Sequence, residues 1–274
     1  MYLNSNQISR TVNWHFTNKC NMSCQYCFVP CNKELSLKES FIVLSKLRDF
    51  FSRINFVGGE PTLSSKLKPL VIKAKELGFE VSIVTNGYIF SKNPDYLDSL
   101  INYFSIVGIS VDSLNAETNL EIGRCSSMVS LSESDYISLC RKITSAGCKL
   151  KVNTVVSKLN LGEDFNQFYQ EVNPSRIKLL QVLKPSGHLK RNYDCLQISE
   201  EEYKAFVRRH SGFSDIICSE SNEQMLNSYY ILNSIGCFLD NKTGKSSKSL
   251  LKYDLHEVLS DVFIDEKKYS ARYA

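Results

Sequence analysis

The sequence predicts an α/β protein built on a partial barrel of about six parallel strands, followed by a C-terminal extension. Short apolar segments with strand character alternate with amphipathic helical segments through the first two-thirds of the chain. Glycine-containing turns end many of these segments. The alternation is not recognisable beyond residue 183, where the chain becomes more polar. We therefore predict one structural unit, with a barrel over residues 1–183 and an extension over residues 184–274 that caps the barrel mouth.

Local signals support the elements in turn. Ser36 and Glu39 form a capping-box pattern, which indicates a helix start. Gly78 and Gly147 stop two later helices, and Asn86-Gly87 is typical of a turn after a strand. The predicted strands cover residues 11–17, 53–57, 79–85, 106–111, 148–156 and 176–183. The predicted helices cover residues 36 to about 51, 67–77, 135–146 and 164–172.

Composition excludes several classes of protein. The chain has 274 residues, of which 43% are hydrophobic, which is sufficient for a full core. Its formal net charge of +4 is too small to indicate nucleic-acid binding, which requires clustered basic residues. No apolar run approaches the length of a membrane span, and the first ten residues are too polar for a signal peptide. We expect a cytoplasmic monomer that binds neither nucleic acid nor membranes.

Three cysteines after the first strand carry the strongest chemical signal. Cys20, Cys24 and Cys27 have the spacing C-x3-C-x2-C, and Tyr26 precedes the last. Three thiolates can hold three irons of a [4Fe–4S] cluster and leave the fourth iron open. In this spacing the open iron is where S-adenosylmethionine (SAM) chelates and is split by one electron. A zinc site and three unrelated thiols are the alternatives, but structural zinc prefers two pairs of ligands, and the sequence has no second pair. Cys31 is expected to be a free thiol, because a fourth ligand would close the iron.

Further along the chain, other residues are candidates for binding SAM. Gly58 and Gly59 follow a strand and allow close backbone approach to a ligand, while the Glu60 carboxylate can accept from an ammonium group. Arg124 is predicted to pair with the SAM carboxylate, and Ser110 to face a ribose hydroxyl. The alternatives are an ordinary turn, a solvated arginine and a serine that satisfies only backbone. We also count Tyr26, the aromatic residue of the cysteine loop, among the cofactor-binding residues.

Two neighbouring strands carry cations on one face. Lys151 and Asn153 are two residues apart, as are Arg176 and Lys178 on the next strand, so each pair shares a face. The opposite face carries Val152, Ile177 and Leu179. Buried cations require an anionic ligand or acidic neighbours, and neither strand contains an acid. The pattern predicts a floor for a triphosphate; the alternative is an exposed, irregular edge with solvated lysines.

Taken together, these segments resemble the viperin-like radical SAM enzymes, which are nucleotide dehydratases. The matching segments are residues 13–20 with Cys24, Cys27 and Phe28; residues 55–61, 82–87, 109–113, 122–124, 151–153 and 176–178 with Gln181; residues 220–222 with Met225, Ser228 and Tyr229; and residues 247–249. The matches span nearly the whole chain. Animal viperin adds an N-terminal membrane helix and a terminal tryptophan, so we expect a soluble relative with a different cap.

The resemblance implies a radical SAM barrel and a specific reaction. Such an enzyme converts a ribonucleoside triphosphate, with CTP favoured over UTP or GTP, to its 3′-deoxy-3′,4′-didehydro form, a chain-terminating antiviral nucleotide. A reductant must supply electrons. Residue by residue, the resemblance implies triphosphate contacts by Lys151, Asn153, Arg176, Lys178 and Lys248, a substrate-side contact by Asn13, and a general acid in Tyr229.

Alternative interpretations of the sequence stay open. Tyr229 and Tyr230 are typical of core aromatics on a helix, here predicted over residues 226–233. The chain is also compatible with a radical SAM enzyme acting on another phosphorylated substrate or a peptide, although it lacks a cysteine-rich extension for auxiliary clusters. A further alternative is a non-catalytic iron–sulfur protein that binds nucleotide.

Overall fold

The computed structural model describes residues 10–29, 33–183 and 193–273, so Cys31 lies outside the described part of the chain. The strands in these ranges are β1 (Thr11–Thr17), β2 (Arg53–Gly58), β3 (Glu80–Thr85), β4 (Ile106–Ser110), β5 (Lys149–Val156), β6 (Arg176–Gln181), β7 (Ile217–Glu220), β8 (Tyr230–Leu232), β9 (Cys237–Leu239) and β10 (Ser246–Ser249). They form one sheet in the order β10-β9-β8-β1-β2-β3-β4-β5-β6-β7.

Successive strands from β1 to β7 pair in parallel, which confirms the predicted α/β partial barrel. The register places Asn13 opposite Asn55 and Asn153 opposite Lys178. Since all these strands run the same way, their carboxyl ends meet at one rim of the sheet. Active sites of such barrels are built at that rim.

The helices lie between and after the strands: α1 (Leu37–Leu47), α2 (Leu67–Glu76), α3 (Tyr88–Lys92), α4 (Pro94–Asp98), α5 (Ala116–Ile122), α6 (Glu133–Ser145), α7 (Asn166–Val172), α8 (Glu200–Arg209), α9 (Asn222–Met225), α10 (Leu255–Leu259) and α11 (Glu266–Tyr273). The predicted capping box opens α1: the Ser36 hydroxyl accepts from the Glu39 N–H at 3.3 Å. That helix ends at Leu47, earlier than predicted. Among the described helices, none has both the length and the apolar character needed to cross a bilayer.

Apolar side chains cover the outer face of the sheet, where the helices pack. Val12, Trp14 and Phe16 alternate along β1 and are fully buried. The Trp14 ring lies 6.0 Å from that of Phe56 on β2. The alternate residues of β5 and β6 are equally buried, namely Val152, Ile177 and Leu179. This confirms the predicted faces and leaves the polar residues of the same strands on the inner side.

The last part of the chain extends the sheet at both edges. α8 is followed by β7, which pairs in parallel with β6 and adds a β/α unit that the sequence analysis did not recognise. β8 pairs in parallel with β1 at the other edge. The predicted helix over residues 226–233 was therefore wrong. Tyr230, Ile231 and Leu232 form a buried strand because the free edge of β1 offers them backbone partners.

The C-terminal helix α11 returns to the beginning of β1. The Tyr269 hydroxyl oxygen, which is buried, accepts a hydrogen bond of 2.6 Å from the Thr11 N–H. The Tyr269 ring lies 5.2 Å from that of Tyr230, and Tyr230 donates a hydrogen bond of 2.8 Å to Glu266. These contacts fix the last helix against the central strand of the fold.

We predict that Tyr269→Phe lowers the free energy of unfolding by about 1–3 kcal/mol, because it leaves the buried Thr11 N–H without its acceptor. Urea unfolding followed by circular dichroism measures the change. Tyr253→Phe is the control, since Tyr253 is 39% exposed. Equal stability of the two variants would contradict the assignment.

Candidate active site in the barrel mouth

A cavity of about 350 Å³ opens at the carboxyl ends of the strands. Most of the predicted site residues line it: Asn13, Cys20, Cys24, Tyr26, Cys27, Gly58, Gly59, Ser110, Arg124, Lys151, Asn153, Lys178 and Tyr229. Its lining does not include Glu60, Arg176 or Lys248. The fold thus brings two groups of residues, far apart in sequence, to one cavity.

The first group, here called the cysteine wall, comprises the three loop cysteines with Tyr26 and Arg124. The loop is held by backbone hydrogen bonds to the end of α5: the Ser23 N–H donates to Gly123 at 3.0 Å, and the Gln25 N–H to Ile122 at 3.0 Å. This places the Arg124 guanidinium 3.9 Å from the Cys24 sulfur. Burial raises the pKa of the Cys24 thiol to about 11, against the opposing effect of Arg124.

The cysteine wall offers three possible ligands for an iron–sulfur cluster. Cys20, Cys24 and Cys27 form no disulfide and all line the cavity. In the described ranges, no three histidine, cysteine or acidic side chains are close enough together to hold one metal ion. Three thiols that line one cavity match the ligand requirement of a [4Fe–4S] cube, in which each thiolate binds a different iron.

Gly58, the last residue of β2, and Gly59 allow the cysteine loop to lie directly against the end of that strand. A Cβ atom on Gly59 would lie 2.3 Å from the Lys19 carbonyl oxygen and 2.7 Å from that of Asn18. A Cβ atom on Gly58, whose φ is +153°, would lie 2.3 Å from the Thr17 carbonyl oxygen. The close approach that the sequence analysis expected toward a ligand is therefore also an approach toward the protein's own backbone.

The Glu60 carboxylate was expected to accept from an ammonium group of a ligand, and in the structure it accepts from groups of the protein. Its fully buried carboxylate accepts hydrogen bonds from the Thr62 hydroxyl at 2.6 Å, the Thr85 hydroxyl at 2.6 Å, the Asn86 N–H at 2.7 Å and the Thr62 N–H at 3.1 Å. Four bonds use the acceptor capacity of a carboxylate. Burial nevertheless raises its pKa. Glu60 thus joins the β2 turn to the end of β3, outside the cavity lining.

Arg124 is held by an acid that the sequence analysis missed. Its guanidinium lies 3.4 Å from the carboxylate of Asp112 and donates a hydrogen bond of 2.7 Å to the Ser110 carbonyl oxygen. Tyr26 donates its hydroxyl proton to the same carboxylate. Burial and the Asp112 charge both raise the pKa of Tyr26. The position of Asp112 directly after a barrel strand was the signal that could have revealed it.

The second group, here called the cationic wall, comprises Lys151, Asn153, Lys178 and Tyr229. Burial lowers the pKa of Lys151 to about 7, and the charges of Lys178 and Arg176 lower it as well. Gly108 on the neighbouring strand leaves the space that the Lys151 side chain occupies, since a Cβ there would lie 3.0 Å from the Lys151 Cε. Burial and the neighbouring cations therefore disfavour the charged form of this lysine.

An acid from β7 neutralises part of the cationic wall. The Glu220 carboxylate is 3% exposed and lies 2.9 Å from the Lys178 Nζ and 2.7 Å from the Arg272 guanidinium. Tyr229 is hydrogen-bonded to both Lys178 and Glu220. The sequence analysis found no acid for these cations because it did not recognise β7. It did not select Arg272 at all.

Two predicted triphosphate contacts lie elsewhere. Arg176 donates a hydrogen bond of 2.5 Å to the Arg272 carbonyl oxygen and so supports α11. Lys248, on β10, has a side chain that is 44% exposed and pairs with Glu257 at 2.8 Å. Neither side chain lines the cavity in this structure. Arg176 is bonded to α11, and Lys248 on the edge strand β10 is bonded to α10.

Two amide side chains from neighbouring strands meet in the barrel interior. Asn55 donates a hydrogen bond of 2.8 Å to the Asn13 side-chain oxygen. The Asn13 side-chain nitrogen is buried and has no hydrogen-bond partner within the described ranges. A donor at the cavity wall is thus available for a ligand oxygen. Asn55 was not selected from the sequence, although it occupies the same register as Asn13.

Comparisons with known proteins agree with this architecture. Residues 14–172 match the family model of the radical SAM superfamily. The structure of Streptococcus suis SuiB bound to the precursor peptide SuiA superposes with a TM-score of 0.72 at 16% identity, covering 96% of this chain and 66% of that one. The structure of anSMEcpe with bound AdoMet has a TM-score of 0.68 at 15% identity, covering 96% and 82%. Fold and cysteine wall together define a radical SAM enzyme, whose cofactors are a [4Fe–4S] cluster and SAM.

Closer relatives specify the kind of enzyme. The S-adenosylmethionine-dependent nucleotide dehydratase of Flammeovirga pacifica is 34% identical over 97% of this chain and 97% of its own length. That of Selenomonas ruminantium is 34% identical over 96% and 98%. The RSAD2 enzyme of Siniperca chuatsi is 34% identical over 96% and 77%. The chain belongs to the S-adenosylmethionine-dependent nucleotide dehydratase family, that is, the viperin-like enzymes.

We predict that Gly59→Ala prevents assembly of the iron–sulfur cluster, because the new methyl group displaces the loop that carries Cys20. Iron content per chain and absorbance after anaerobic reconstitution measure the effect. Gly212→Ala is the matched control, since a Cβ there meets nothing within 4 Å. Full iron loading of Gly59→Ala would contradict the proposed packing.

We predict that Lys151→Met stabilises the unliganded protein by about 1–3 kcal/mol, because it removes a charge that is costly to bury. The pKa in the folded state, about 7, lies below the ordinary value of 10.5. The cost of charging is therefore complete below pH 7 and disappears as the pH rises toward 10.5.

The gain from Lys151→Met should accordingly be largest at pH 6–7 and small near pH 10. Chemical denaturation at several pH values measures it. Lys149→Met on the same strand is the control, since Lys149 is exposed. A gain that does not depend on pH would refute the burial of a titrating charge.

Proposed function

We propose that this enzyme dehydrates CTP to 3′-deoxy-3′,4′-didehydro-CTP, with SAM consumed as cosubstrate. The observation that carries the proposal is the single cavity lined on one side by the cysteine wall and on the other by the cationic wall. A radical formed at the first wall then arises beside a sugar whose phosphates are held by the second. The choice of CTP rests on the resemblance described above.

In this proposal the cysteine wall holds the cofactors. Cys20, Cys24 and Cys27 would bind the cluster, and Arg124, fixed by Asp112, would face the SAM carboxylate. When bound, the cluster supplies the electron that splits SAM into methionine and the 5′-deoxyadenosyl radical, which takes the C4′ hydrogen of the nucleotide. Ser110 lines the cavity beside Arg124, where a ribose hydroxyl of SAM would lie.

The cationic wall binds the nucleotide. Lys151 and Lys178 provide positive charge for the phosphates, and Asn153 and Asn13 provide hydrogen-bond donors. Arg176 supports α11 and adds its charge near Lys151, and Lys248, which pairs with Glu257 in this structure, stays a triphosphate contact proposed from the family resemblance. Binding a polyanion recharges Lys151, whose pKa burial otherwise lowers to about 7.

The chemistry needs an acid as well as a radical. After loss of the C4′ hydrogen, the 3′-hydroxyl departs, and hydroxide is a poor leaving group unless it is protonated. The resemblance assigns that acid to Tyr229, which lies at the edge of the cavity beside Lys178. One more electron completes the alkene, so we infer a one-electron donor as partner. We further propose that the enzyme is a monomer that acts in the cytoplasm.

The C-terminal extension contributes to closing the site in this proposal. Met225, Tyr229 and Ile231 belong to it and line the cavity beside residues of the barrel. Excluding water protects a radical intermediate from side reactions. The product lacks the 3′-hydroxyl from which an RNA chain is extended.

We predict that the reconstituted enzyme, reduced with dithionite under anaerobic conditions, forms 5′-deoxyadenosine and a nucleotide lighter by one water only with CTP. Parallel assays with ATP, GTP and UTP, analysed by mass spectrometry, test the base. Dependence on another nucleotide would overturn the choice of CTP. Formation of 5′-deoxyadenosine without any nucleotide dependence would favour a different substrate class, and none at all a non-catalytic protein.

Loss of a loop cysteine tests the cofactor assignment in the same assay. Cys24→Ala should abolish SAM cleavage, because the cluster loses one of its three ligands. Cys195→Ala is the matched control, since Cys195 is an exposed thiol outside the cavity lining. Turnover by Cys24→Ala at the level of this control would refute the ligand set.

A further inference from the structure

Tyr229 is enclosed by a cluster of charged side chains from three elements. Lys178 comes from β6, Glu220 from β7 and Arg272 from α11. The Arg272 guanidinium lies 3.5 Å from the centre of the Tyr229 ring, and Lys178 lies 4.6 Å from it. Arg272 is 7% exposed and also donates a hydrogen bond of 2.6 Å to the hydroxyl of Ser228. The phenol is therefore held on its face and at its oxygen.

The hydrogen bonds at the phenol leave it without a spare proton. The single hydroxyl proton of Tyr229 is donated to the Glu220 carboxylate. The hydroxyl oxygen accepts a hydrogen bond from the Lys178 ammonium. A tyrosine in this arrangement can give up its proton to a substrate only after its bond to Glu220 is broken.

The only proton of the Tyr229 hydroxyl is donated to Glu220, whereas Lys178 has more than one N–H donor. An ammonium group has three N–H donors. One is donated to Tyr229 and a second is directed at Glu220, 2.9 Å away. Lys178 also lines the cavity, where its third donor is within reach of a bound substrate in this proposal. Both neighbours accept from the same ammonium and thereby fix its position.

We propose that Lys178, positioned by Tyr229 and Glu220, is the acid that protonates the departing 3′-hydroxyl. This rests on the proposed nucleotide dehydration. The C3′–O bond breaks with its electron pair on oxygen, the Lys178 ammonium transfers one proton to that oxygen, and water leaves. Lys178 becomes a neutral amine, and the sugar radical cation is reduced to the alkene by one electron from the electron donor. Tyr229 and Glu220 are then positioning residues.

The electrostatic surroundings suit such a transfer. Burial lowers the pKa of Lys178, Glu220 raises it and Arg272 lowers it. The other groups that face it are Cys218 on β7, Lys151 on β5 and Tyr229. When Lys178 becomes neutral, the buried carboxylate of Glu220 keeps its partner Arg272 at 2.7 Å. The step therefore leaves no unpaired buried charge, which would be costly.

Substitutions at Lys178 test the proposal through the yield of dehydrated nucleotide per 5′-deoxyadenosine. Hydrogen abstraction precedes the acid step, so Lys178→Met should still form 5′-deoxyadenosine when CTP is added, while the yield falls about 10²-fold. Lys178→Arg keeps the positive charge but does not release a proton near neutral pH. We expect it to bind CTP with a similar KM and to give the same low yield.

Two further variants separate this role from binding and from positioning. Lys151→Met, on the same wall, should raise the KM for CTP, and at saturating CTP its yield should fall much less than that of Lys178→Met. Tyr229→Phe keeps the ring but removes the hydroxyl, and it should lower the yield less than Lys178→Met does. Thermal unfolding and iron content verify that each variant is folded and loaded.

The pH dependence supplies a second readout. In the parent enzyme the yield should fall as the pH rises, because the acid must be protonated and its pKa is lowered by burial. Lys178→Arg should show no such fall. A Lys178→Arg variant with the parent yield would overturn the proposal, as would a Tyr229→Phe yield as low as that of Lys178→Met. If the parent enzyme shows no nucleotide-dependent 5′-deoxyadenosine, the proposed function itself fails.

Discussion

The pairing of Glu220 with Lys178 and Arg272 is the interaction on which the substrate side of this enzyme depends. A barrel interior does not tolerate several unpaired cations, because each loses its hydration on burial. One carboxylate at 2.9 Å and 2.7 Å from two of them makes the arrangement possible in the absence of substrate. The strand that supplies the carboxylate and the helix that supplies the arginine both come from the C-terminal part of the chain.

Contacts from several parts of the fold hold the two walls of the cavity in place. The parallel strands bring the cysteine wall and the cationic wall to one rim, and the short backbone contacts at Gly58 and Gly59 fix the height of the cysteine loop above the sheet. On the opposite side, α11 is tied to β1 through Tyr269 and to the cavity through Arg272. Displacement of this helix would therefore disturb both the edge of the barrel and the surroundings of Tyr229.

Local pattern was enough to predict the barrel and many of the polar residues that line its cavity, whereas Asn13 and Tyr229 were taken from the family resemblance. Alternation along β5 and β6 placed Lys151, Asn153 and Lys178 on the inner face, because side-chain direction in a strand is fixed by parity. The cysteine spacing likewise predicted the three cysteines of the cysteine wall. These features depend on residues that are close together in the sequence.

What the sequence did not reveal depends on pairing between distant segments. Residues 230–232 became a strand because β1 had a free edge, which no local signal shows. Glu220 and Asp112 were missed because an acid acquires its role only from the cations that the fold brings near it. Glu60 was predicted to accept from a ligand, and the fold also surrounds its oxygens with donors from Thr62, Thr85 and Asn86, which no local signal shows.

The slot beside Gly108 that holds Lys151 has a consequence for selectivity among anions. An amine whose pKa burial lowers to about 7 attracts monovalent ions and inorganic phosphate less strongly than a fully charged lysine does. Only a ligand carrying several negative charges, held in place by many contacts at once, recovers the energy of protonating that amine. Discrimination against the abundant small anions of the cell thus arises from a lysine that acquires its charge together with its ligand.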